Sequence, residues 1–229
     1  MSDTVKPVTM HFFPEEPEHL QADYFFTVGP HCRPAGQLRE NNMKRTRFPL
    51  DWLGFSAGTL IHCMDSAYSD FFLEYREEPY EEAEPQKYYV VRDVKNNIAS
   101  MHEMPLEKPL EEAVRAFRTL TKERWDQFAS RMASAESVIL FGAFPEPKDA
   151  QNILQAFQKH FPNTAFHMVN VSHRKNCPED EIYCTHPCDC FDQYYMCEEF
   201  VPYEWKGNLP GWKAVLSHYS LKEEDPPAL

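Results

Sequence analysis

Two apolar runs separated by one helical segment set the strongest limit on the fold. Ser137-Val138-Ile139-Leu140-Phe141-Gly142 and Phe166-His167-Met168-Val169-Asn170-Val171 flank a helix-period stretch over 148–160. This order reads as a βαβ unit with parallel strands and a right-handed crossover. Ile153, Leu154, Phe157 and Phe161 are then expected to pack on the sheet. A third run, Tyr24 to Gly29, reads as another strand, buried on both faces because its apolar character is nearly continuous.

This third strand turns through Gly29-Pro30 and launches a helix with Cys32 at its start. A helix N-terminus offers unpaired N–H groups and partial positive charge, which bias a thiol toward thiolate. Cys32 therefore reads as a nucleophile. It reads equally as a small buried hydrophobe at a strand–helix corner.

The rest of the chain supports a mixed α/β domain over 24–221, with a central sheet, a β-hairpin and the βαβ unit. Ser56 is a good N-cap for a helix running toward Leu73, with Leu60, Met64, Tyr68, Phe71 and Phe72 on its core side. Tyr88 to Asp93 and Asn97 to His102 form the hairpin, and 109–133 is the longest helix. Residues 1–23 read as an extended lead-in, Arg76 to Pro85 as a solvated acidic loop, His173 to Cys197 as irregular, and 222–229 as a flexible tail.

Charge and cysteine usage narrow the partners. The 229 residues carry 23 Lys and Arg against 36 Asp and Glu, a formal net charge of -13, so neither nucleic acid nor an anionic membrane is an expected partner. The one dense basic run, Lys44-Arg45-Thr46-Arg47, is a solvated turn or an anion contact. No run has the length of a membrane span, and the start lacks a signal peptide's basic and apolar regions. With an odd cysteine count of 7, a cytoplasmic location is expected.

A thiol nucleophile needs a base, and a Cys–His pair supplies one by exchanging a proton. Of the 10 histidines, His102 stands out because it ends a strand, a rigid place from which to face a helix N-terminus. Asp51, between Pro49 and Trp52, would orient the imidazole, or else caps a turn or helix start. Glu103 in strand geometry faces away from His102. Backbone N–H groups at Cys32 and the start of its helix would form the oxyanion hole. Cys177, Cys184, Cys188, Cys190 and Cys197, with His173 and His186, make a second constellation. It could hold a structural zinc, but its spacing is not a standard knuckle, and reduced thiols or an adventitious disulfide explain it as well. No cofactor and no metal at the catalytic residues are expected.

Thr27-Val28-Gly29-Pro30-His31-Cys32 with Gln37-Leu38-Arg39, then Arg47-Phe48-Pro49-Leu50-Asp51-Trp52, then Ser100-Met101-His102-Glu103 resemble a papain-like cysteine peptidase family of bacterial proteins classed as a domain of unknown function. The family pattern is a Gly-x-x-Cys start, a Tyr-Pro-Phe-Asp-Trp block and a His-Asp pair, and the likeness runs from about residue 24 to about Val171. Phe48 and Leu50 stand for the usual tyrosine and phenylalanine, Glu103 replaces the family's Asp, and Phe26 stands where papains place an oxyanion glutamine. The resemblance implies a papain-like domain and a cysteine-dependent hydrolase, or an acyl or amide transferase, working through a thioester. Cys32 would attack, His102 would exchange the proton and Asp51 would orient it, on a peptide, protein or small amide or acyl substrate. A non-catalytic binding or structural module, with or without zinc at 173–197, is the alternative.

Overall fold

Alternating apolar side chains let one sheet carry a core on each face. Along β3 (Tyr24–Thr27), Phe26 enters one core and Phe25 the other. Along β8 (Ser137–Gly142), Val138 and Leu140 face the first core, and Ile139 and Phe141 the second. β9 (Ala165–Arg174) repeats the division with Phe166 and Met168 against Val169 and Val171. These features come from a computed structural model, which describes residues 8–43, 47–80, 85–174, 178, 180–197 and 207–222.

The six-stranded sheet has the order β1 (Thr9–Phe13), β10 (Glu181–Cys188), β11 (Phe191–Cys197), β9, β8, β3. β3, β8, β9 and β11 are mutually parallel, whereas β10 runs antiparallel to β11. α2 (Ala57–Asp65), α3 (Leu110–Met132) and α4 (Pro147–His160) cover the first core through Leu60, Phe117, Phe128, Ile153 and Phe157. α1 (Arg33–Glu40) and α5 (Leu209–Leu216) cover the second through Leu38, Trp212 and Val215.

A four-stranded antiparallel sheet, β4 (Leu53–Gly54), β7 (Ile98–Ser100), β6 (Val90–Asp93) and β5 (Tyr75–Glu78), joins the first core through Leu53, Ile98 and Val91. β2 (Leu20–Ala22) pairs with β12 (Tyr219–Leu221) in a parallel ribbon. The chain is thus mixed α/β, with five helices among the described residues. None of these is long and apolar enough to cross a membrane.

The βαβ reading holds: β8 and β9 pair in parallel from Ser137 opposite Ala165 to Gly142 opposite Asn170, with α4 between them in sequence. The hairpin holds too. Asp93 pairs with Ile98, its carboxylate accepts the Asn96 N–H at 3.0 Å, and Asn97 takes the left-handed φ of 53° that Asn tolerates.

Other expectations are corrected. The strand expected over 24–29 ends at Thr27, and the helix expected to reach Leu73 stops at Asp65. Ala67 and Tyr68 adopt φ of 48° and 60°, which no right-handed helix can continue. Tyr68, Phe71 and Phe72 reach the same core from a turn, so their helical spacing was a poor guide to backbone shape. The 173–197 stretch read as irregular contains most of a hairpin, β10 and β11, because Ile182, Cys184, Tyr194 and Met196 alternate into the second core. The lead-in contributes β1, paired with β10 from Thr9 opposite Glu181, and β2. The Lys44-Arg45-Thr46 part of the basic run, Glu81 to Glu84, Cys177, and the ends 1–7 and 223–229 lie outside the described residues.

Candidate active site

The N-terminus of α1 sets the position of the thiol. Cys32 is the N-cap, half-buried, and its carbonyl accepts the Gly36 N–H at 2.9 Å to begin the helix. The corner before it is tied to β8: Val28 donates to Phe141 O at 2.9 Å, and Ala143 donates to Gly29 O at 2.9 Å. Cys32 therefore stands just past the carboxyl end of a parallel strand, where open α/β sheets place their ligands.

Two sequence blocks meet at this corner, and a third is tied to the second through β4. Asp51 is buried and accepts from the Thr27 hydroxyl and from the Phe48 N–H, the latter at 2.9 Å. The Phe55 N–H donates to Pro30 O at 3.1 Å. Leu53 pairs with Ser100 across β4 and β7, so the chain that carries Asp51 also carries the strand end before His102. Phe48 fills the first core between Phe26 and Phe128, an apolar site in which a tyrosine hydroxyl is not needed.

The predicted residues do not all engage one another. His102 is exposed, lies two residues beyond β7, and meets the Tyr88 ring edge-on with centroids 6.4 Å apart. No hydrogen bond joins His102 to Cys32 or Asp51 among the described residues. The bonds of Asp51 to Thr27 and Phe48 are those of the turn cap, the other reading of this residue. Glu103 turns inward to Arg124, with N–O distances of 3.3 Å and side chains 9% and 8% exposed, while Arg47 approaches its other oxygen at 3.9 Å. That pair fastens the residue after His102 to α3. Thr27, Tyr88 and Arg124 escaped sequence reasoning, since a hydroxyl, a ring and a cation carry no spacing signal of their own.

Two details bear on chemistry. Trp52 adopts φ of 70°, strained for a bulky residue, and the Arg39 guanidinium lies 4.9 Å from its ring centroid. Such strain tends to gather at functional positions. At the helix start, the Arg33 N–H points to His31 Nδ1 at 3.4 Å and Pro34 has no N–H. Pro34 therefore cannot be one of the oxyanion donors expected there.

A second polar cluster lies under β12. Asp192, with 4% of its side chain exposed, bonds His167 Nε2 at 2.7 Å and His186 Nδ1 at 2.6 Å, and accepts from Tyr219 Oη at 2.7 Å. His186 Nε2 faces Glu15 O at 3.0 Å, and Tyr194 Oη lies 2.9 Å from Tyr219 Oη. Burial favours protonation of Asp192, but His167, Tyr219 and His186 outweigh it and hold the carboxyl below its usual range.

The cysteines separate by environment. Burial, helped by Asp70 and Asp93, pushes the Cys63 thiol up to about 12, and burial beside Asp192 pushes Cys184 up to about 12. Both are expected to resist iodoacetamide in the native chain and to react only after unfolding, which mass mapping checks. Cys197 is also buried, whereas Cys188 is exposed and Cys190 half-buried. Among the described residues no group of three His, Cys, Asp or Glu could hold a metal ion. No family model, no curated protein and no solved structure matches this chain.

Proposed function

We propose that the chain is a cysteine-dependent hydrolase, or an acyl or amide transferase, of papain-like chemistry with Cys32 as its nucleophile. The observation that carries this reading is the chain of links from the start of α1 to the third block, through Thr27 to Asp51, Pro30 to Phe55 and Leu53 to Ser100. The helix start favours the thiolate. His102 takes the Cys32 proton, forming an imidazolium, and the thiolate attacks the acyl carbon of a peptide, protein or small amide or acyl substrate. The oxyanion of the tetrahedral intermediate is met by backbone N–H groups at Cys32 and the start of its helix. The leaving amine departs with the imidazolium proton, and water or a second nucleophile resolves the thioester.

In this scheme Asp51 is a positioning residue. It locks the 48–53 turn to β3, and β4 then places β7 and the bend beyond it that carries His102. Glu103 and Arg124 hold the following residue. Cysteines in thiol form among the described residues suit a cytoplasmic location.

The test is the pH dependence of Cys32 alkylation, followed by mass mapping. A thiol paired with His102 reacts well below the ordinary thiol pKa of about 8.5, and His102→Ala moves the profile back toward that value. An ordinary or inert profile that ignores His102→Ala would sink the enzyme reading and leave a binding or structural module.

A further inference from the structure

Cys188 and Cys190 have no part in that reaction. They lie in the tight turn between β10 and β11, where Cys188 pairs with Phe191 and Asp189 and Cys190 make the bend. Their Sγ atoms are 3.7 Å apart, in contact and not bonded. A disulfide requires Cα atoms within about 4.4–6.8 Å, a span that two virtual bonds of about 3.8 Å folded through a turn can meet.

The turn is held from three sides. Cys190 O accepts the Met168 N–H at 2.8 Å, the Gln158 amide Nε2 lies 3.8 Å from Cys190 Sγ, and Phe191 is 1% exposed beneath the bend. Cys188 is exposed and Cys190 half-buried. Burial and the neighbouring Cys188 sulfur both raise the Cys190 thiol. The two thiols therefore differ in access, and ionisation of the less accessible one is disfavoured. The turn also precedes the amino end of β11, and Cys32 follows the carboxyl end of β3 on a parallel course, so the two cysteine sites occupy opposite edges of the sheet.

We propose that Cys188-Asp189-Cys190 is a thiol–disulfide exchange site for low-molecular-weight disulfides, with Cys188 attacking and Cys190 resolving. The Cys188 thiolate attacks one sulfur of R–S–S–R, forming a Cys188–S–S–R mixed disulfide and releasing RS⁻, which takes up a proton. Cys190 gives its proton to solvent, and its thiolate attacks the Cys188 sulfur and expels the second RS⁻, which is protonated in turn. Two protein thiols and one small disulfide become one protein disulfide and two small thiols, with two electrons passing to the small disulfide. The Gln158 N–H steadies the Cys190 thiolate during the second step. A bond closed over one intervening residue is strained, which makes it labile and suited to exchange.

The experiment treats the 229-residue chain with glutathione disulfide and maps products by peptide mass. In the wild type the peptide carrying Cys188 and Cys190 is expected to lose two hydrogens, with the bond between them, whatever forms at Cys32. Cys190→Ser is expected to accumulate one glutathionyl group on Cys188, and Cys188→Ser to react about tenfold more slowly or less, because the remaining thiol is shielded and ionises less readily. A bond that maps to another pair, an unmodified Cys190→Ser, or Cys188→Ser reacting at the wild-type rate would overturn the proposal. Both substitutions sit at a surface bend, and the wild-type map decides the matter even if either variant folds poorly.

Discussion

Asp192→Ala is expected to destabilise the chain by about 3–5 kcal/mol, the usual cost of stripping one partner from a buried, charged cluster. The carboxylate is nearly sealed from solvent and holds groups from three strands: His167 on β9, His186 on β10 and Tyr219 on β12. His186 ties the carboxylate to the chain before β2. One ring nitrogen faces the Asp192 carboxylate and the other faces the Glu15 carbonyl, so the ring is held from both sides. Removing Asp192 would strip a buried partner from two imidazoles and the Tyr219 hydroxyl, leaving that hydroxyl only its contact with Tyr194. The measurement is a urea unfolding midpoint at unchanged m-value. A loss under about 1 kcal/mol, the size of one ordinary hydrogen bond, would show that the cluster is not coupled.

The same residue carries a pH signature. Its carboxyl lies below the usual range in the folded chain, so the unfolded chain binds the proton more tightly. The stabilisation is complete above the unfolded carboxyl pKa of about 3.9 and disappears as pH falls through the lower folded value. Wild-type stability should therefore drop more steeply over that acid range than that of Asp192→Asn.

How much of this was legible depended on which residues carried the pattern. The βαβ unit was readable because β8 and β9 bury both faces and α4 keeps a clean stripe of Ile153, Leu154 and Phe157. The Ser56 cap was equally plain, and its hydroxyl accepts the Thr59 N–H at 3.2 Å. β10 and β11 were hidden because Cys, His, Thr and Pro occupy positions that an apolar pattern would mark, and because the strands gain their partners from β1 and β9, far away in sequence. At the site, Cys32 and Asp51 were readable from local chemistry, a thiol at a helix start and an acid in a turn. The Thr27 bond to Asp51 and the Arg124 bond to Glu103 span 24 and 21 residues, and only tertiary folding reveals them. The Asp192 cluster was missed for the same reason, although the alternation Asp192, Tyr194, Met196 along β11 was a usable sign of an inward face.

Gly29→Ala should be the most damaging single methyl near Cys32. Gly29 has φ of +92°, where an L side chain is strained, and a Cβ there would lie 2.2 Å from Phe55 Cζ and 2.4 Å from Phe55 Cε2. Backbone strain of about 1–3 kcal/mol and overpacking of about 1–3 kcal/mol together place the loss at about 2–6 kcal/mol. The Phe55 ring cannot step aside freely, because it is 8% exposed within the first core and its N–H is bonded to Pro30 O. Any shift of Phe55 pulls on Gly54 and Leu53, which pair with Ala99 and Ser100, and so displaces the strand end leading to His102. Two readouts should therefore move together: the unfolding midpoint and the pH profile of Cys32 alkylation. Gly29→Ala combined with Phe55→Ala separates the causes, since it removes the ring while leaving the strained φ. The double variant should be about 1–2 kcal/mol more stable than the sum of the two single losses predicts. Strict additivity would mean that the ring is not what excludes a side chain at this corner, and a Gly29→Ala protein of native stability would refute the close approach itself.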